Sequence, residues 1–126
     1  MDNLAISGNV VTGETFQIIC SDNPDSQGRA AYTFYRSSTS AAVGQTVGTI
    51  RFISGEQLPC QTSYTSPYPF GCEDNGSKGY INITVPTDNV YNLTEHNKYW
   101  RCHTLSDPTA AHNNTIHVSI IGKFKY

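Results

Sequence analysis

The chain reads as an all-β protein, a two-sheet antiparallel sandwich, on three observations. Apolar residues alternate one by one with polar ones in several short segments, turn-forming residues separate those segments, and no helical stripe competes with them. Period-two alternation places one side-chain set in a core and the other on a surface. The first strand so defined carries Phe16, Ile18 and Cys20 on one face against Thr15, Gln17 and Ile19 on the other. The next sets Tyr32, Phe34 and Arg36 against Thr33 and Tyr35. Residues 47–53 form another. Further on, Ile81, Ile83 and Val85 alternate with Asn82 and Thr84. Residues 99–104 follow, and then Ile116, Val118 and Ile120 against His117 and Ser119. Pro24, Asp25 and Gly28 punctuate the first connection, Pro86 to Asn89 stop the fourth strand, and Asp107-Pro108 end the fifth. Residues 54–79 are the exception, with Pro59, Pro67 and Pro69, several aromatics and no alternation, and they read as an irregular insertion.

At 126 residues the chain accommodates one domain. Charged residues make up 14%, below the roughly 25% usual in soluble domains, and the net charge is −2. That balance offers no electrostatic basis for binding nucleic acid or an anionic membrane. No apolar run approaches the roughly 18 to 20 residues of a membrane span, so direct membrane insertion of the domain is not expected. Met1 before Asp2 reads as an added start, and residues 123–126 as the beginning of a linker. Cys20, Cys60, Cys72 and Cys102 form an even set without CxxC spacing, which favours disulfides over zinc and leaves three pairings open. Sequons at Asn75, Asn82, Asn92 and Asn113 would accept glycan in a secretory pathway. Both features point to an extracellular, glycosylated protein.

Catalysis fits poorly. His96, His103, His112 and His117 are the candidate ligands or bases, but strand phase places His103 and His117 outward on neighbouring strands and His96 and His112 in turns. No acidic pair, nucleophile motif, phosphate-binding glycine loop or HExxH pattern accompanies them. Neither a metal nor a cofactor is expected.

Three motifs carry a family resemblance. Gly13 through Cys20, with Phe16 and Ile18 between them, resembles the second strand of V-set immunoglobulin domains. Phe34-Tyr35-Arg36, fourteen residues after Cys20, resembles the Trp-Tyr-Arg of the third strand with phenylalanine in place of tryptophan. Tyr99-Trp100-Arg101-Cys102 is similar to the strand holding the second core cysteine, with Trp100 at the usual aromatic position. The resemblance runs from about Gly13 to Ile121. It departs from the family in the missing third-strand tryptophan, in His96 where an aspartate is usual, in Trp100 lacking a hydroxyl, and in a long span between Cys20 and Cys102. Such drift is typical of invertebrate or viral members, so antibody function is not carried over. More narrowly, a tryptophan-less V-set-like domain with an extra cysteine pair resembles the membrane-distal domain of hydroid (Hydractinia) allorecognition receptors, which recognise themselves on an opposing cell.

The resemblance implies an immunoglobulin-like, V-set-like sandwich with a Cys20–Cys102 bridge between sheets. With it comes a Cys60–Cys72 bridge stapling the inserted loop that holds Tyr64, Tyr68 and Phe70. That loop reads first as a structural staple, and in a sharper alternative as a binding protrusion. Strand phase turns Tyr35, Tyr99, Arg101, His103, His117 and Ile121 outward, and the resemblance places their strands in one sheet, the usual pairing face. The expected function is cell-surface recognition or adhesion with a protein partner, including homophilic self-recognition, in the ectodomain of a type I membrane protein. A secreted or viral binder of a heterologous ligand and a structural spacer domain are the alternatives.

Overall fold

The computed structural model describes residues 3–8, 10–11, 13–40, 44–63, 68–85, 97–105 and 115–119. Within them lie nine strands: β1 (Asn3–Gly8), β2 (Thr15–Ser21), β3 (Arg29–Ser37), β4 (Gln45–Ile53), β5 (Cys60–Thr62), β6 (Phe70–Glu73), β7 (Lys78–Thr84), β8 (Lys98–Thr104) and β9 (Thr115–Val118). They form two antiparallel sheets, ordered β1-β2-β7-β6 and β5-β4-β3-β8-β9. Every alternating segment read from the sequence is a strand here, in the phase expected. Ile120 and the turn at 86–89 lie outside the described residues, as do Asp107 and Pro108.

The inward residues meet between the sheets. Phe16, Ile18 and Cys20 of β2 and Ile81 and Ile83 of β7 face Tyr32, Phe34, Ile50, Trp100, Cys102 and Val118, all at most 2% exposed. Burying each large side chain contributes about 1.5–3 kcal/mol. Cys20 and Cys102 are bonded across the sheets, and Cys60 is bonded to Cys72, the pairing the resemblance implied. The fold is an immunoglobulin-like two-sheet antiparallel sandwich.

Residues 54–79 are more regular than their prolines suggest. Besides a 3-10 turn at Asp74–Gly76, they contribute β5 to the edge of one sheet and β6 to the edge of the other. Cys60 stands opposite Phe52, and Cys72 opposite Gly79, so the second disulfide joins the two sheets instead of closing a detached loop. Two aromatics of this stretch, Tyr68 and Phe70, pack against the core. Phe70 packs on Phe34 with centroids 6.4 Å apart and lies over Gly48, where a Cβ would come within 2.1 Å of its ring. Tyr68 packs edge-on against Trp100 at 5.8 Å, and its hydroxyl accepts a 2.6 Å hydrogen bond from Arg36 Nη1. Trp100 Nε1 itself is buried without a hydrogen-bond partner among the described residues.

Tyr32 locks the other end of the core. Its ring crosses Gly79 of the opposite sheet, where a Cβ would stand 2.5 Å away. Its hydroxyl donates to the Gly76 carbonyl, with the Asp22 carbonyl 3.3 Å off. A turn built on Asp25 leads into β3: the carboxylate accepts from the backbone N–H groups of Gln27 and Arg29 and pairs with the Arg29 guanidinium at 2.9 Å. Those donors hold the Asp25 carboxyl below its ordinary range.

Candidate binding face

The outer side of the five-stranded sheet is assembled by register. Tyr35 stands opposite Arg101, Thr33 opposite His103 and Thr49, and Tyr99 opposite His117. With Phe34, Trp100, Cys102 and Val118 pointing into the core, alternation sends these partners to the other side. The face therefore carries Tyr, His, Thr and Arg side chains on four adjacent strands.

Two aromatic–imidazole pairs organise it. The Tyr35 hydroxyl lies 3.1 Å from Nδ1 and 3.2 Å from Nε2 of His103, and the rings meet edge to face at 5.1 Å. Tyr99 stacks on His117 with centroids 4.6 Å apart and planes 21° from parallel. His117 Nε2 is also 3.1 Å from Oδ1 of Asn97, a residue at positive φ just before β8. Tyr35, Tyr99 and His103 are half-buried and His117 is exposed, so all four present surface while their rotamers are held by neighbours. Such preorganisation lowers the entropy lost on binding.

Arg101 corrects the sequence reading. Its side chain leaves β8 on the outer side, yet it is only 4% exposed. The segment following β3 folds over it, and its Nη2 donates to the Ser40 carbonyl. Alternation decides which side of a sheet a residue leaves from; it does not decide what covers that side. Arg101 is thus a buried support beneath the face and not a contact residue. Ile121 lies outside the described residues.

The sharper reading of the stapled stretch as a protrusion is not what Tyr68 and Phe70 do, since both turn into the sandwich; Tyr64 lies outside the described residues. Beside the second disulfide a cleft of about 360 Å³ is lined by Phe52, Pro59, Cys60, Cys72, Glu73 and Asn75. Asn75 is exposed at its rim. Asn82 is half-exposed on the outer side of β7, as its phase implied. Asn92 and Asn113 lie outside the described residues, as do His96 and His112.

His103 is held by a phenol, and His117 by a ring and an amide; among the described residues no group of three or more His, Cys, Asp or Glu converges on a metal-sized site. Also among the described residues, no helix is long and apolar enough to cross a membrane. No protein-family model matches the chain, and no curated protein matches it. The immunoglobulin-like assignment accordingly rests on sheet order, register and the inter-sheet disulfide. The sequence did not point to Asn97 or to the segment ending at Ser40. A lone asparagine ahead of a strand is compatible with positive φ, and this was the available signal for the first.

Proposed function

We propose that this chain is a V-set-like extracellular recognition domain that binds a protein partner through the outer face of its five-stranded sheet. The sheet order supports the V-set-like reading. Variable-type domains extend the three-stranded sheet by two edge strands, and β4 and β5 extend β3-β8-β9 here in the same way. The observation that carries the binding reading is the pair of preorganised rings, Tyr35 with His103 and Tyr99 with His117, on a partly exposed stretch of that face. Tyrosine is enriched among residues that dominate binding energy, because it offers large area for few rotatable bonds.

The preferred partner in this reading is a second copy of the chain on an opposing cell, with the domain carried in the ectodomain of a type I membrane protein. The test is association of protein-coated beads, first with the same protein and then with candidate ligands. Replacing Tyr35 and Tyr99 together by Ala is expected to abolish association, with losses on the order of 2 kcal/mol for each residue, while circular dichroism stays unchanged. Self-association that persists in the double variant sinks the choice of face. Capture of a heterologous protein without self-association supports a soluble binder, and no association of either kind supports a spacer.

A further inference from the structure

The opposite surface of the molecule carries an apolar row in register. Across the four-stranded sheet, Ala5 stands opposite Ile19, Ile19 opposite Tyr80, and Tyr80 opposite Gly71. Their neighbours Ile18 and Ile81 are fully buried, so the row itself lies on the outer side. Tyr80 extends across Gly71, where a Cβ would come within 2.4 Å of the phenolic oxygen, so its ring lies along the sheet instead of standing away from it. Ile19 and Tyr80 are half-buried.

Asn82 and Thr84, the two chemical elements of a sequon, follow Tyr80 on the same strand and the same face. Same-face neighbours on a strand are about 7 Å apart, so sugars bonded to the Asn82 amide come within reach of the Tyr80 ring. Asn82 Oδ1 accepts a 2.9 Å hydrogen bond from Gln17 Nε2, which fixes the amide plane and leaves Nδ2 as the atom that carries a substituent. Thr84 lies with its hydroxyl 3.1 Å from that of Thr15.

We infer that Asn82 carries an N-linked oligosaccharide whose first sugars lie along the Tyr80–Ile19 row and seal the four-stranded sheet. The inference rests on the extracellular reading above. In the transfer, Asn82 Nδ2 forms a bond to the anomeric carbon of an oligosaccharide held on a lipid pyrophosphate. The anomeric C–O bond breaks, the lipid pyrophosphate leaves with the electron pair, and one amide proton passes to a base of the transferring enzyme. A pyranose has one face of C–H groups, which packs on the electron-rich face of a tyrosine ring, while its hydroxyls remain in water. The surroundings match that division: an apolar row bordered by Gln17, Ser21 and Lys78. With the row covered, protein partners are confined to the five-stranded sheet.

The experiment uses the chain secreted from eukaryotic cells, with glycopeptide mass spectrometry at Asn82 and thermal unfolding of wild type, T84A, Y80S and the Y80S/T84A pair. Asn82 is expected to be occupied, and wild type to unfold roughly 3 °C above T84A. In the Tyr80→Ser background the increment should shrink to what Thr84→Ala costs the fold alone, because that cost is common to both backgrounds and only the difference between the two increments reports the glycan on Tyr80. Tyr80→Phe should preserve the increment. If Tyr80→Ser does not fold, Ile19→Thr, a strand-compatible change in the same row, should reduce the increment. An unoccupied Asn82, or an increment of equal size in the Tyr80→Ser and Ile19→Thr backgrounds, overturns the inference. Either result leaves the bead association of the other sheet unaffected, and loss of that association says nothing against occupancy at Asn82.

Discussion

Arg101 leaves β8 beside Tyr35 and Tyr99 but ends beneath the segment that reaches Ser40, and the consequences of mutating it differ from theirs. Removing a buried guanidinium opens a cavity and strands the carbonyl it satisfied, so Arg101→Ala is expected to cost about 2–3 kcal/mol of stability in urea unfolding. Tyr35→Ala, at a half-exposed position, should cost less than half of that. The two losses appearing in the reverse order would contradict the burial of Arg101. Tyr32 predicts a pH effect. Burial, with a smaller contribution from the Asp22 charge, pushes its hydroxyl from 10.0 up to about 12. The folded chain therefore keeps a proton that the unfolded chain has released, and stability is intact below pH 10 and falls as pH rises from 10 towards 12. Urea midpoints should register a loss of about 1.4 kcal/mol by pH 11. Tyr32→Phe should be less stable at pH 8, having lost the bond to Gly76, but should show a flatter decline above pH 10. A decline equally steep in both proteins would place its origin elsewhere.

Among the elements, β2, β3, β4, β7, β8 and β9 were legible because each sets at least two core residues at period two within a longer segment, bounded by turn chemistry. β1, β5 and β6 were not. β1 offers only Leu4 and Ile6, β5 is three residues long, and β6 contains Gly71. Alternation cannot be recognised over three residues, and nearby prolines argued for irregularity; these strands are defined by what they pair with. The same limit applied at the binding face. Phase located Tyr35, Tyr99, His103 and His117, whereas the cover over Arg101 depends on how a separate segment folds back. The two disulfides also differ by element. Cys20 and Cys102 are fully buried between central strands, while Cys60 and Cys72 are half-buried on edge strands beside the 360 Å³ cleft. Exchange requires a thiolate to reach a sulfur. Mild reduction followed by alkylation and peptide mapping should therefore label Cys60 and Cys72 first, with Cys20 and Cys102 labelled only under conditions that unfold the chain. Simultaneous labelling of all four would show that the edge bridge opens only with the whole fold.

For the molecule as a whole, both bridges do the same job at different places: each ties one sheet to the other, one through the centre and one along the edge where β5 faces β6. That edge needs the tie. A strand of three residues and one of four bury little, and an open sheet edge invites pairing with other chains. The chain-entropy account gives the scale. A bridge spanning 82 residues is worth about 4.5 kcal/mol and one spanning 12 residues about 3 kcal/mol. Loss of the central bridge also leaves a gap in a core where both sulfurs are fully buried, so the cost of Cys20→Ala with Cys102→Ala should exceed its entropic share. Cys60→Ser with Cys72→Ser leaves polar groups at half-exposed positions, and its cost should stay near 3 kcal/mol. The urea denaturation midpoint should fall in both variants, further in the first. In the second, a single cooperative transition should remain, because Phe70 and Tyr68 still pack on Phe34 and Trp100. A separate early transition in that variant would mean that the disulfide alone holds β5 and β6 to the sandwich and that the aromatic packing does not.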